Sequence, residues 1–139
     1  MVDNLQIKRK IQEYASTLQS YKSELNTLTT QKTNYEDMKR NIISAQSKLS
    51  SAIRHANVSS KQLRVSYVSN ISKSKVSELS QDITTLTNIN NLLNNTIIPA
   101  IDTKILSLQK KIRDVESNIG SYQRALEYYQ AQLSQSQIM

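Results

Sequence analysis

His55 is the only histidine of the chain. Imidazole chemistry needs a nucleophile or an orienting carboxylate beside the ring, and the chain has no cysteine to activate. His55 falls near the end of the first long helical pattern, where a cation is favourable at the negative helix terminus; that position accounts for it without catalysis. The only adjacent carboxylates, Glu36-Asp37, have no third ligand at metal-binding spacing. Gly120 stands alone within a helical pattern, so no phosphate-cradling loop forms around it. No catalytic, cofactor-binding or metal-binding residue is therefore assigned, and the sequence reads as that of a non-enzyme. What remains is recognition, which depends on the elements that carry the surface.

Those elements are set by apolar periodicity. Ile98, Ile101, Ile105, Leu108, Ile112, Val115, Ile119, Tyr122, Leu126, Tyr129 and Leu133 alternate steps of three and four. That is the a/d repeat of a supercoiled helix, which cannot leave such a seam in water and needs a second helix against it. Upstream, Ile7, Ile11, Tyr14, Leu18, Tyr21, Leu25 and Leu28 follow the same rule. Beyond a gap at Lys32, the apolar series Tyr35, Met38, Ile42, Ala45, Leu49, Ala52 and Ala56 continues, displaced by one position between Leu28 and Met38. The polar run 29–34 surrounds that slip and predicts a loose or bent segment. Helix 1 is expected over about 3–57, with Asp3 and Gln6 as a capping box.

From 58 to 74 the stripe fails. Val65 and Tyr67 alternate with Ser66, a weak extended signal, and the stretch reads as the connection, partly ordered by its apolar residues and, without Gly or Pro, able to keep one or two helical turns. Helix 2 is expected over about 75–136. Its first part places Val76, Leu79, Ile83, Leu86, Leu93 and Ile97 on the seam, with Asn90 at one core position. The register then jumps by one residue at Ile97–Ile98, just before Pro99, the only proline. Proline removes a helical hydrogen bond, and Asn94-Asn95-Thr96 are weak helix formers, so helix 2 is expected to be kinked or broken near Pro99. The fold class is all-α: a long antiparallel helical hairpin or coiled coil, in a single domain over 1–139.

Composition supports this. One Gly and one Pro leave too few breakers for a sheet protein. Ser, Thr, Asn and Gln number 20, 10, 12 and 13, whereas charged residues are only 21%, so helicity must come from packing rather than surface ion pairs. The net charge is +7. Its basic residues are scattered, Lys8-Arg9-Lys10 being the longest run, with the connection through Lys75 adding Lys61, Arg64, Lys73 and Lys75 without an acid. Nucleic-acid readers concentrate such charge on one face, so specific nucleic-acid binding is not expected, and an acidic protein partner or a solvated face is. No run of about 18 apolar residues could span a membrane, and no apolar core follows the basic triplet to make a secretory signal. A cytoplasmic location is expected.

Apolar residues off the seam, Ile43, Ile89, Leu92, Leu106 and Tyr128, are either the flank of the intramolecular core or a protein-binding face. With Ile98 beside the register jump, the candidate protein-binding residues are Ile89, Leu92, Ile98, Leu106 and Tyr128. Such a face serves a helical partner, or a second copy in a structural, self-associating coiled coil. A weak nucleic-acid or membrane-surface binder using the basic connection is a third alternative.

The segment Asn94-Asn95-Thr96-Ile97-Ile98-Pro99-Ala100-Ile101, followed by Lys104 and an uninterrupted heptad tail, resembles the YwqH-like small helical proteins of Gram-positive bacteria, which accompany LXG toxins of the type VII secretion system. Overall length and two Ser-rich helices extend the resemblance over most of the chain. It departs from the family in having no Gly-containing turn between Asn57 and Lys75. The WXG motif of related secreted hairpins is missing, and no Tyr is followed four residues later by Asp or Glu, as their export signal requires. The resemblance implies an accessory protein, a targeting factor or chaperone, that binds the helical LXG region of a toxin. A second small helical protein could join that complex, and co-secretion with the partner is compatible with it.

Overall fold

The computed structural model describes the backbone of residues 4–66 and 70–138, and the side chains of 4–62 and 75–137. Every described backbone residue is helical, and the fold is an all-α helical hairpin. Helix α1 is Asn4–Ser66 and α2 is Asn70–Leu92. A single π turn, Leu93–Ile97, leads directly into α3, Ile98–Ile138. Expected positions Asp3, Tyr67 and Val68 lie outside the described residues.

The connection expected over 58–74 is corrected: α1 continues to Ser66 and α2 begins at Asn70. Val65 and Ser66 are helical, so the extended signal there does not hold. Residues 58–66 and 70–74 hold neither glycine nor proline to break a helix, and loss of an apolar stripe is not loss of helix. Threonines inside the helices satisfy their hydroxyls locally. Thr27, Thr84, Thr87 and Thr103 donate to the carbonyls of Ser23, Ser80, Ile83 and Pro99, one turn back.

Contacts divide the chain into two compact units. The first comprises Met1–Asn34 and Ile105–Met139, the second Tyr35–Lys104. In the first unit α1 and α3 run antiparallel. Ser136 Oγ donates to Asn4 Oδ1, and Tyr14 stacks on Tyr122 and Tyr129 with ring centroids 5.4 and 5.5 Å apart. Tyr21 adds a third such contact with Tyr122, at 5.5 Å. These four rings share one row of the seam, a tyrosine ladder in which offset and edge contacts each add about 0.5–1.5 kcal/mol beyond area burial. Ile7, Leu18, Leu28, Leu108 and Val115 are buried around it, Leu108 to 1% exposure.

In the second unit the seam is half-buried almost throughout, with only Ile101 and Ser60 fully buried among its described residues. The expected slip between Leu28 and Met38 does not occur. Half-buried or buried positions of α1 step by three and four without a miss through Leu28, Lys32, Tyr35, Lys39, Ile42, Gln46, Leu49, Ile53, Ala56 and Ser60. Met38, Ala45 and Ala52, expected on the seam, are exposed. One of its rows is thus Lys32, Lys39, Gln46, Ile53 and Ser60, a heptad series whose first three members are polar.

The π turn resolves the register jump. Ile98 N–H donates to Leu93 O, five residues back, and the helical backbone continues on both sides, with Leu92 and Ile98 in right-handed helical conformation. A π turn inserts one residue into an α-helix, which is the size of the jump. Carrying the α3 register back without it would turn Asn94, Asn91, Thr87, Thr84, Ser80 and Ser77 toward α1. With it, Leu93, Asn90, Leu86, Ile83, Leu79 and Val76 occupy the seam, each half-buried. The irregularity expected near Pro99 therefore ends two residues before it, and the helix does not stop there.

Candidate protein-binding surface

Side chains with chemical potential are not assembled into a reactive site among the described residues. His55 lies in a shallow surface depression with Ser51, Arg54 and Val58, spaced along one face of α1 and including no carboxylate. Asp37 pairs with Arg40, one turn on. No group of three or more metal-ligand side chains occurs among the described residues, and among them no helix is long and apolar enough to cross a membrane. A Cβ on Gly120 would meet only Arg124 Nη1, at 3.5 Å, an ordinary contact.

The second unit carries the unusual arrangement. Its two helical segments are joined by polar layers at positions a hydrophobic seam would fill. Lys39 Nζ lies 2.7 Å from Asp102 Oδ1, an ion pair about one-third to two-fifths exposed. One heptad on, the Gln46 amide donates to Asn90 Oδ1 at 3.3 Å and to Asn94 Oδ1 at 2.8 Å. Asn90 stands in the core row, and Asn94 is supplied by the π turn. Polar layers of this kind fix register and orientation, and they stabilise less than leucine would. A half-exposed ion pair contributes about 1 kcal/mol at most.

Hydrophobic side chains are meanwhile left outside. In the second unit Met38, Ile43, Val58, Ile89 and Leu92 are exposed, Leu92 to 52%. Of the candidate binding residues, Ile89 and Leu92 lie three residues apart on α2, on one helix face. Ile98, in the same unit, is half-buried in the α3 seam. Leu106 and Tyr128 belong to the first unit and are exposed to 64% and 59%. Tyr128 accepts a bond from Gln132 Nε2 at 2.7 Å and stacks on Tyr129. The polar core residues Lys39 and Gln46 were legible only in their seven-residue spacing from Leu25 and Lys32. The tyrosine ladder was legible in the same interval, at Tyr14 and Tyr21 and at Tyr122 and Tyr129.

No family model, curated protein or solved structure matches this chain.

Proposed function

We propose that this chain is a non-enzymatic accessory protein, a targeting factor or chaperone, that binds the helical LXG region of a type VII secreted toxin. One observation carries the helix-binding part. The second unit joins its helices through Lys39–Asp102 and Gln46–Asn90–Asn94 while Met38, Ile43, Ile89 and Leu92 stay exposed. Polar contacts that specify more than they stabilise, beside apolar side chains in water, favour a helical partner that buries the latter. The toxin class rests on the resemblance around Ile97–Ile101. In this reading the protein acts in the cytoplasm and can leave the cell with its partner, and a second small helical protein can join the complex.

The test is co-expression with an LXG protein encoded beside it, followed by co-purification. A stoichiometric complex is expected. Separate elution of two well-folded proteins rejects the toxin partner. Elution of the chain alone as a discrete oligomer favours the self-associating coiled coil, which the same exposed residues support.

A further inference from the structure

On one side of the second unit the exposed apolar residues are matched in height and in size. Beside the half-buried row Tyr35, Ile42 and Leu49 of α1 lies the exposed row Met38, Ala45 and Ala52, about 60° further round the helix. Ile89 holds the corresponding place on α2, three residues from Leu86, with exposed Leu92 and, on α3, exposed Ala100 just beyond that row. Gln46 bonds both Asn90 and Asn94, so it stands level with about residue 92, and Lys39 stands level with Asp102. Counting along the antiparallel helices from these pairs puts Ile89 level with Leu49, midway between Ala45 and Ala52. Met38 falls level with the turn that carries Ala100. At both heights one helix of the pair is bulky and the other small. Exposed Asp82, in the row of Ile89, and exposed Lys104 mark the two ends of this apolar stretch.

We infer that in the free protein this side is covered by a second copy of the chain, related by a two-fold axis parallel to the helices, so that Ala45 and Ala52 of each copy receive Ile89 of the other. An axis in that direction preserves height and exchanges the helices. Each α1 then lies antiparallel against the other copy's α2, at the heights found within one hairpin. Ile89 enters the hole formed by Ala45, Lys48, Leu49 and Ala52, residues i, i+3, i+4 and i+7, and Met38 meets Ala100. The exposed stripe is centred about 110° from the internal seam, near the corner angle of a four-helix bundle, and the half-buried row between them turns to the bundle centre. Shape selects the copy, and charge does not. Lys48 and His55 border this side on α1, and Lys75, Glu78, Asp82 and Lys104 on the other helices, so the border carries both signs. A two-fold axis across the helices would lay alanine on alanine and Ile89 on Ile89, leaving the small rows unfilled. With Met38, Ile89 and Leu92 as its only large exposed side chains, the dimer is weak, dissociating on the order of 10 µM. This goes beyond the toxin reading: a toxin helix and the copy would compete for Ile89 and Leu92, and the dimer is the form of the chain before its partner arrives.

Sedimentation equilibrium of the full chain at about 100 µM should find mainly dimer, about ten times above its dissociation constant. Ala52→Glu, which fills the hole with a carboxylate, should weaken the dimer about tenfold or more, and Ser47→Glu, on the outer face of α1, should not. A monomeric wild type, or equal effects of the two substitutions, overturns the inference. The symmetry is read from disulfides, since the chain has no cysteine of its own. A tagged Ala45→Cys chain and an untagged Leu92→Cys chain, whose positions stand level, are mixed and equilibrated in glutathione buffer. The 45–92 disulfide should exceed the 45–45 and 92–92 products several-fold; a dimer linked mainly 45–45 or 92–92 has the other axis and overturns the inference. Co-expression with the LXG protein is read separately. A dimer without co-purification rejects the toxin and leaves the inference standing, whereas a monomeric chain that still co-purifies rejects the inference and leaves the toxin.

Discussion

The amide of Gln46 bonds Asn94 Oδ1 at 2.8 Å, so a core position of α1 is held by a residue of the π turn on the opposing helix. The one-residue insertion brings Leu93 and Leu86 onto the seam, and Asn94, within the turn, still reaches Gln46 from the flank. Register correction and polar pairing thus lie at the same turn.

Deleting Asn95 should convert the π turn into α-helix and join the α2 and α3 registers into one uninterrupted repeat. The variant is expected to unfold within about 1 kcal/mol of the parent, the scale of one hydrogen bond. Deleting Asn118 should instead rotate the tail of α3 off its seam. Each apolar residue so displaced forfeits about 1.5–3 kcal/mol, and urea unfolding should register a loss of several kcal/mol. Equal losses from both deletions would show that the π turn is not a register correction.

Gly120 sits within α3 with space for a methyl group. Gly120→Ala should raise stability by about 0.5–1 kcal/mol, through the lower entropy of the unfolded chain and better helix propensity. A higher urea midpoint with unchanged slope is the expected record. A lower midpoint would reveal a close approach at this position.

Leu108 and Leu106 are two residues apart and differ from 1% to 64% exposure. Leu108→Ala should cost about 2–5 kcal/mol, as the site is enclosed by its neighbours. Leu106→Ala should change stability by less than about 0.5 kcal/mol. Thermal unfolding followed by circular dichroism compares them directly, and similar losses would contradict the seam assignment.

Leu92→Asp should leave helicity and unfolding nearly unchanged, since the side chain is 52% exposed. Binding to the proposed helical partner should fall about tenfold or more, because a carboxylate would be buried in an apolar contact without a partner. Calorimetric titration against the purified LXG segment measures the loss. Undiminished affinity would move the binding face away from α2.

The amino-acid sequence by itself determined the helical class, the unbroken seam of α3, the core place of Asn90 and the one-residue jump at Ile97–Ile98. It also marked Ile43, Ile89, Leu92, Leu106 and Tyr128 as residues off the seam, and all five are exposed. These follow from periodicity, which is local. Only the tertiary structure decided that α1 keeps its register through Lys32, Lys39 and Gln46, and that Met38, Ala45 and Ala52 lie outside. Two apolar stripes sharing Tyr35, Ile42 and Leu49 are equivalent to any count of hydrophobic spacing, and the more apolar one reads as the core. What distinguishes them is the opposing helix, whose Asp102, Asn90 and Asn94 offer polar partners to Lys39 and Gln46 and so specify the register that leaves the more apolar stripe outside.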